Sequence, residues 1–97
     1  MATIVVSYPA TEGARFDTDY YTASHIPLVH KVWGPHGLTE AEVLFPAGGQ
    51  PWIAAVLLRF ESQAAIDAAL ADPATGDVMG DVPKFSDIHP VVYRAAD

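Results

Sequence analysis

The order of apolar segments predicts an α+β fold of the ferredoxin-like kind, β-α-β-β-α-β. Its four-stranded antiparallel sheet would carry both helices on one face. Three observations lead there. Two helix-forming stretches each lie between β-rich runs, and a turn-rich hairpin joins the two middle runs. The chain of 97 residues has room for one domain and one modest core. The hairpin also disfavours a doubly wound parallel sheet, whose strands need long crossovers.

The elements follow in order. Thr3 to Tyr8 is rich in β-branched residues and stops at Pro9, which reads as the first strand. Ala10 to Phe16 is a loop around Gly13. Asp17 suits a helix N-cap, and Asp19 in the first turn favours the positive end of the helix dipole. This helix should run to about Trp33, where Gly34-Pro35 terminates it. Leu38 to Phe45 and Trp52 to Phe60 read as strands two and three, with Pro46 to Pro51 as the turn between them. Ser62 can cap a second helix, Gln63 to Ala71, rich in alanine and closed by Asp72-Pro73. A Gly- and Pro-containing region continues to Pro83, with a helical turn around Val78 and Met79. Ile88 to Ala95 reads as the last strand, and Pro90 near its start points to an edge position or a strand start.

Strand three adds a clue about assembly. Trp52, Ala54, Val56, Leu58 and Phe60 form one face, and Ile53, Ala55 and Leu57 the other, with Arg59 the one charge. Both faces are apolar, the pattern of a strand covered on both sides. Two helices cover one face. A second copy of the same chain is the economical cover for the other, so a homodimer is expected.

Composition narrows the functional classes. A hydrophobic content of 51% with 18% charged residues excludes a disordered chain. The net charge of −7 and the scattered Arg15, Lys31, Arg59, Lys84 and Arg94 argue against nucleic acid as a partner. No apolar run approaches the roughly 18–20 residues of a membrane span, and no basic residue precedes the apolar N-terminal stretch as in a secretory signal. There is no cysteine, hence no disulfide framework or thiol chemistry. A cytoplasmic protein without membrane association is the expectation.

Chemistry-bearing residues concentrate in the first helix. Tyr21, His25, Leu28 and Val32 are spaced by four, three and four, and share one helical stripe that should face the sheet. His25 would then lie in an apolar layer, where desolvation favours neutral imidazole and suits a general base. The pattern is met equally by a core histidine hydrogen-bonded to a backbone carbonyl. Pro27 should kink the helix, because it cannot donate to the Ala23 carbonyl and its ring presses on that turn.

The remaining candidates are weaker. His30 falls on another side of the helix, and His36 in the Gly34-Pro35-His36-Gly37 turn reads as solvated. His89, before Pro90, could reach the His25 cavity from the sheet side. No HxxxH or HExxH spacing is present, so no metal site is expected. Glu40 and Glu42 alternate on one strand face toward water, and no GxSxG accompanies Ser7 or Ser24. Without GxGxxG or a Walker pattern, no nucleotide cofactor is expected either.

The run Phe16-Asp-Thr-Asp-Tyr20-Tyr21-Thr-Ala-Ser-His25-Ile-Pro27-Leu28 closely resembles the signature of the EthD family, a tyrosine pair followed by H-x-P-L on the first helix. Asp81-Val-Pro-Lys-Phe85-Ser-Asp-Ile-His89-Pro-Val91 is similar to that family's C-terminal D-[IV]-P-x-F segment. Trp33-Gly34 and Gly37-Leu38 sit where the family commonly has them. The resemblance spans essentially the whole chain. It implies a ferredoxin-like subunit of a dimeric α+β barrel, in agreement with the reading of strand three.

The family is associated with ether degradation and with steps of aromatic or polyketide metabolism. The wider superfamily includes cofactor-free monooxygenases, muconolactone isomerases and polyketide cyclases, so fold alone does not select a chemistry. The resemblance raises His25 toward a functional role. One expectation is a cofactor-independent lyase, isomerase or cyclase acting by proton transfer on a small apolar or aromatic molecule. His25 would serve as base or acid, and Tyr21 or Tyr8 would polarise a substrate oxygen. An oxygenase of this kind would need a substrate that activates oxygen itself. Tyr20, Leu28, Trp33, Phe85 and His89 are candidate substrate contacts, and Trp33 or Phe85 is also large enough to fill the pocket. The other expectation is a non-catalytic binding or accessory protein of an oxygenase or ether-degrading system.

Overall fold

A computed structural model describes residues 1–96. Four antiparallel strands, β1 (Ala2–Pro9), β2 (Leu38–Leu44), β3 (Trp52–Phe60) and β4 (Val91–Ala95), form one sheet in the order β2-β3-β1-β4. The helical elements are α1 (Thr18–Tyr20), a π-helical turn over Tyr21–His25, α2 (Ile26–Trp33), α3 (Gln63–Ala71) and α4 (Thr75–Gly80). Short 3-10 turns occupy Gly34–His36 and Val82–Lys84. The expected ferredoxin-like arrangement is present. No helix among the described residues is long and apolar enough to cross a membrane.

Alternation along the strands decides which side chains reach the site. Ile4, Tyr8, Ala54, Val56, Leu58 and Phe60 point inward and are buried beneath the helices. Toward one end they join Val29, Trp33, Ile66, Ala69 and Val78 in the main core. Toward the other, Tyr8 and Ala54 join Tyr21, Phe85 and Ile88 in a second, aromatic cluster.

On the opposite face, cross-strand rows bring Glu42, Leu57, Val5 and Tyr93 into register, and beside them Leu44, Ala55, Ser7 and Val91. Leu44, Val91 and Tyr93 are exposed, and Val5, Ala55 and Leu57 half-buried. Glu40 and Glu42 do not simply face water. Both hydrogen-bond Arg59, at 3.3 and 3.1 Å, across the β2–β3 pair.

Several expectations change in detail. The last strand begins at Val91 rather than Ile88. Pro90 has no N–H for the ladder, and Ile88 turns into the aromatic cluster instead. The strand does lie at an edge. The turn foreseen at Val78 and Met79 is the longer α4, and Ser62 caps α3 by accepting from the Ala65 N–H at 3.1 Å. His36 is not fully solvated, because its Nε2 lies 2.7 Å from an Asp72 carboxylate oxygen and ties the Gly34–His36 turn to the end of α3.

Candidate active site

The first helix starts as expected, with Asp17 accepting from the Tyr20 N–H at 3.0 Å. It then departs from α geometry. The Ile26 N–H bonds the Tyr21 carbonyl, five residues back. The wider turn makes room for the ring of Pro27, which an α-turn would press against the Ala23 carbonyl.

It also changes the buried stripe. Tyr21, His25, Val29 and Trp33 face inward, whereas Leu28 and Val32 are only half-buried. A four-residue step over-rotates by about 40° in an α-helix. The π turn under-rotates and offsets that drift, so a uniform spacing of four stays on one face.

Asp81, at the end of α4, completes the site from the other side. Its Oδ2 lies 2.9 Å from His25 Nδ1, and its Oδ1 accepts from the Tyr20 hydroxyl at 2.8 Å. Lys84 Nζ stands 3.7 Å from the same Oδ1, on the solvent side. The segment carrying Asp81 is pinned by the loop before α1. Arg15 donates to the carbonyls of Pro83 and Lys84, the Asp17 N–H bonds the Phe85 carbonyl at 2.7 Å, and Phe16 bridges to Ser86. Phe85 is thereby held fully buried against Tyr8, Tyr21 and His25, its ring 4.7 Å from the imidazole.

The electrostatics agree with one protonation pattern. Burial pushes the His25 pKa below its ordinary 6.5, outweighing the upward pull of Asp81. Burial works against ionised Asp81 as well. Hydrogen bonds from His25 and Tyr20, with the charge of Lys84 nearby, overcome it and hold the carboxyl below its ordinary value. A neutral imidazole that donates Nδ1–H to a carboxylate satisfies both. That tautomer leaves the Nε2 lone pair free to accept a proton.

His25, Tyr8 and Tyr21 line one partly open cavity. Its other walls are apolar, among them Val6, Val29, Trp33, Val56, Met79 and Val92. Tyr8 and Tyr21 are 2% and 1% exposed, and burial pushes both phenols well above their ordinary pKa, so they stay protonated.

The structure thus brings together His25, Tyr21, Tyr8 and Trp33 around one space. Trp33 borders the cavity without filling it, its indole N–H held by Thr75 Oγ1 at 2.8 Å. Three other candidates lie elsewhere. Phe85 packs behind the imidazole, Leu28 borders an open groove with Asp81 and Lys84, and Tyr20 points to Asp81. His89 is exposed and outside the cavity lining, because the backbone turns at Pro90 before the strand begins. Asp81 is the residue the sequence did not single out. Its signal was its place at the head of Asp81-Val82-Pro83-Lys84-Phe85. Among the described residues, no group of three or more His, Cys, Asp and Glu side chains is placed to hold a metal ion.

Residues 11–89 match the family model of the EthD domain. An EthD-like protein from Ralstonia eutropha JMP134 has a similar structure, with a TM-score of 0.85 at 29% identity, over 97% of this chain and 88% of that one. A dimeric ferredoxin-like protein of unknown function from Jannaschia sp. CCS1 superposes with a TM-score of 0.70 at 18% identity, covering 99% and 98%. SnoaB, a cofactor-independent oxygenase from Streptomyces nogalater, gives 0.67 at 11% identity, covering 99% and 93%. At such identities the last two establish likeness of fold alone. No curated protein matches the chain in sequence.

Proposed function

The chain belongs to the EthD family, and from that premise we propose a cofactor-independent enzyme that moves protons on a small apolar or aromatic substrate. Lyase, isomerase or cyclase chemistry fits its equipment. The observation that carries the reading is the His25–Asp81 pair, 2.9 Å apart at the wall of an apolar cavity. Asp81 fixes the imidazole and its tautomer, Nε2 takes or returns the proton, and Tyr8 or Tyr21 donates to the substrate oxygen. A cofactor-independent oxygenase on the same fold is compatible with a site that works through side chains and substrate alone.

The working unit in this reading is a homodimer. The apolar rows across Leu57, Val5 and Tyr93 would pack against the same rows of a second copy. The dimeric ferredoxin-like protein of similar fold and the hazard of an open apolar sheet face support it. A cytoplasmic setting belongs to the same proposal, supported by a chain without cysteine.

The test begins by screening aromatic and ether metabolites by thermal shift, followed by mass spectrometry for product. Turnover that His25→Ala abolishes in a folded protein is the expected result. Full turnover by that variant would overturn the role of His25. Tight binding without conversion would mark a binding or accessory protein instead.

A further inference from the structure

We infer that the cavity selects an uncharged carbonyl compound with an acidic α C–H, and discriminates against the carboxylate of the same shape. The inference rests on the proton-transfer reading and names its substrate class.

Two features of the cavity point there. Neither the Tyr8 nor the Tyr21 hydroxyl, nor His25 Nε2, has a hydrogen-bond partner among the described residues. Yet no buried side-chain nitrogen or oxygen among those residues is left unpartnered. The three atoms therefore keep accessible surface, and the cavity is the opening that all three residues line. Two hydroxyls, carried by buried rings 5.8 Å apart, and one basic nitrogen are thus open to a ligand in the cavity. Phenols that stay protonated are donors, which suits an acceptor oxygen. The nitrogen beside them suits an acidic proton.

Charge supplies the discrimination. None of the five cationic side chains lines the cavity. Arg59 pairs with Glu40 and Glu42 on the opposite sheet face, and Arg94 bonds Asp67 and Gln63. Arg15 holds the 83–84 carbonyls, Lys84 lies on the outer side of Asp81, and Lys31 is exposed. An anion entering would lose its hydration without a counter-charge, in a protein of net charge −7. A ketone loses far less.

The step balances within the site. His25 Nε2 takes the α proton, the C–H electron pair becomes the C=C bond of the enolate, and a tyrosine hydroxyl stabilises the oxygen by hydrogen bonding. Return of a proton from Nε2 to carbon completes either exchange or isomerisation.

Three ligands of one shape make the test: acetophenone, benzoate and α-methylstyrene. Binding to the full chain at pH 7 is followed by NMR titration, and methyl hydrogen exchange by mass spectrometry in D₂O. Acetophenone is expected to bind at least about tenfold more tightly than either analogue, consistent with the loss of one or two hydrogen bonds. Tyr8→Phe combined with Tyr21→Phe, which keeps the ring packing, should erase its advantage over α-methylstyrene. Benzoate binding as tightly as acetophenone, no binding of acetophenone at millimolar concentration, or indifference to the double substitution would overturn the inference. Selective binding without deuterium exchange would leave the selectivity standing and count against proton transfer. Exchange without selectivity would do the reverse.

Discussion

His25 Nδ1 and Asp81 Oδ2 stand 2.9 Å apart although 56 residues separate them in the chain, and both side chains are more than nine-tenths buried. The pair joins the first helix to the end of α4, so one contact both closes the core and sets the imidazole. Tyr20 holds the second carboxylate oxygen, which leaves Asp81 little freedom to turn away.

Asp81→Asn separates these two roles. The amide can still accept from Tyr20 and can offer an N–H to His25 Nδ1, so the imidazole proton moves to Nε2. The fold should survive with a loss of about 1–3 kcal/mol, read by urea denaturation. Proton-transfer activity should fall by roughly 10² or more, because the base is then blocked by its own proton. Unchanged activity in the folded variant would refute the role given to Asp81.

Phe85 tests the wall behind the imidazole. It is fully buried against Tyr8, Phe16, Tyr21 and His25. Phe85→Ala should cost about 3–5 kcal/mol. Phe85→Leu should cost less and still loosen the ring that fixes His25. Chemical denaturation of both variants checks the ranking.

Leu57 tests the second copy. It lies mid-row between Glu42 and Val5 on the sheet face away from the helices. Sedimentation of the parent chain at micromolar concentration should give twice 10.4 kDa, and Leu57→Glu should give the monomer. A parent chain found only as monomer would contradict the proposed dimer.

Much of this was legible in the sequence, for identifiable reasons. Hairpin residues at 46–51, the cap at Ser62 and the double-sided apolar strand at 52–60 are local signals, and each appears as expected. An α period puts Leu28 and Val32 on the buried stripe of the first helix, whereas the π turn before Pro27 brings Val29 and Trp33 there instead. Asp81 gave no local signal of its partner. Its role depends on a loop pinned by Arg15 and Asp17, a contact across some 70 residues that no periodicity encodes.

Stability should fall on acidification in two stages. His25 has a folded pKa below 6.5, so the unfolded chain binds the extra proton first. Its contribution is complete above pH 6.5 and declines as pH drops toward the folded value. Asp81 and Asp72 are held below 3.8 in the fold, and their contributions decline as pH drops below that value. Unfolding free energy measured against pH should therefore slope downward below about 6.5 and again below about 4. His25→Gln should remove the His25 contribution to the upper stage. An unchanged upper slope would refute the lowered His25 pKa.

The most direct measurement is the ¹⁵N NMR titration of the His25 imidazole in the ligand-free protein. A neutral ring at pH 7, protonated on Nδ1 and titrating below 6.5, is the predicted result. A proton on Nε2, or a titration above 6.5, would contradict the account of His25 as a base poised by Asp81.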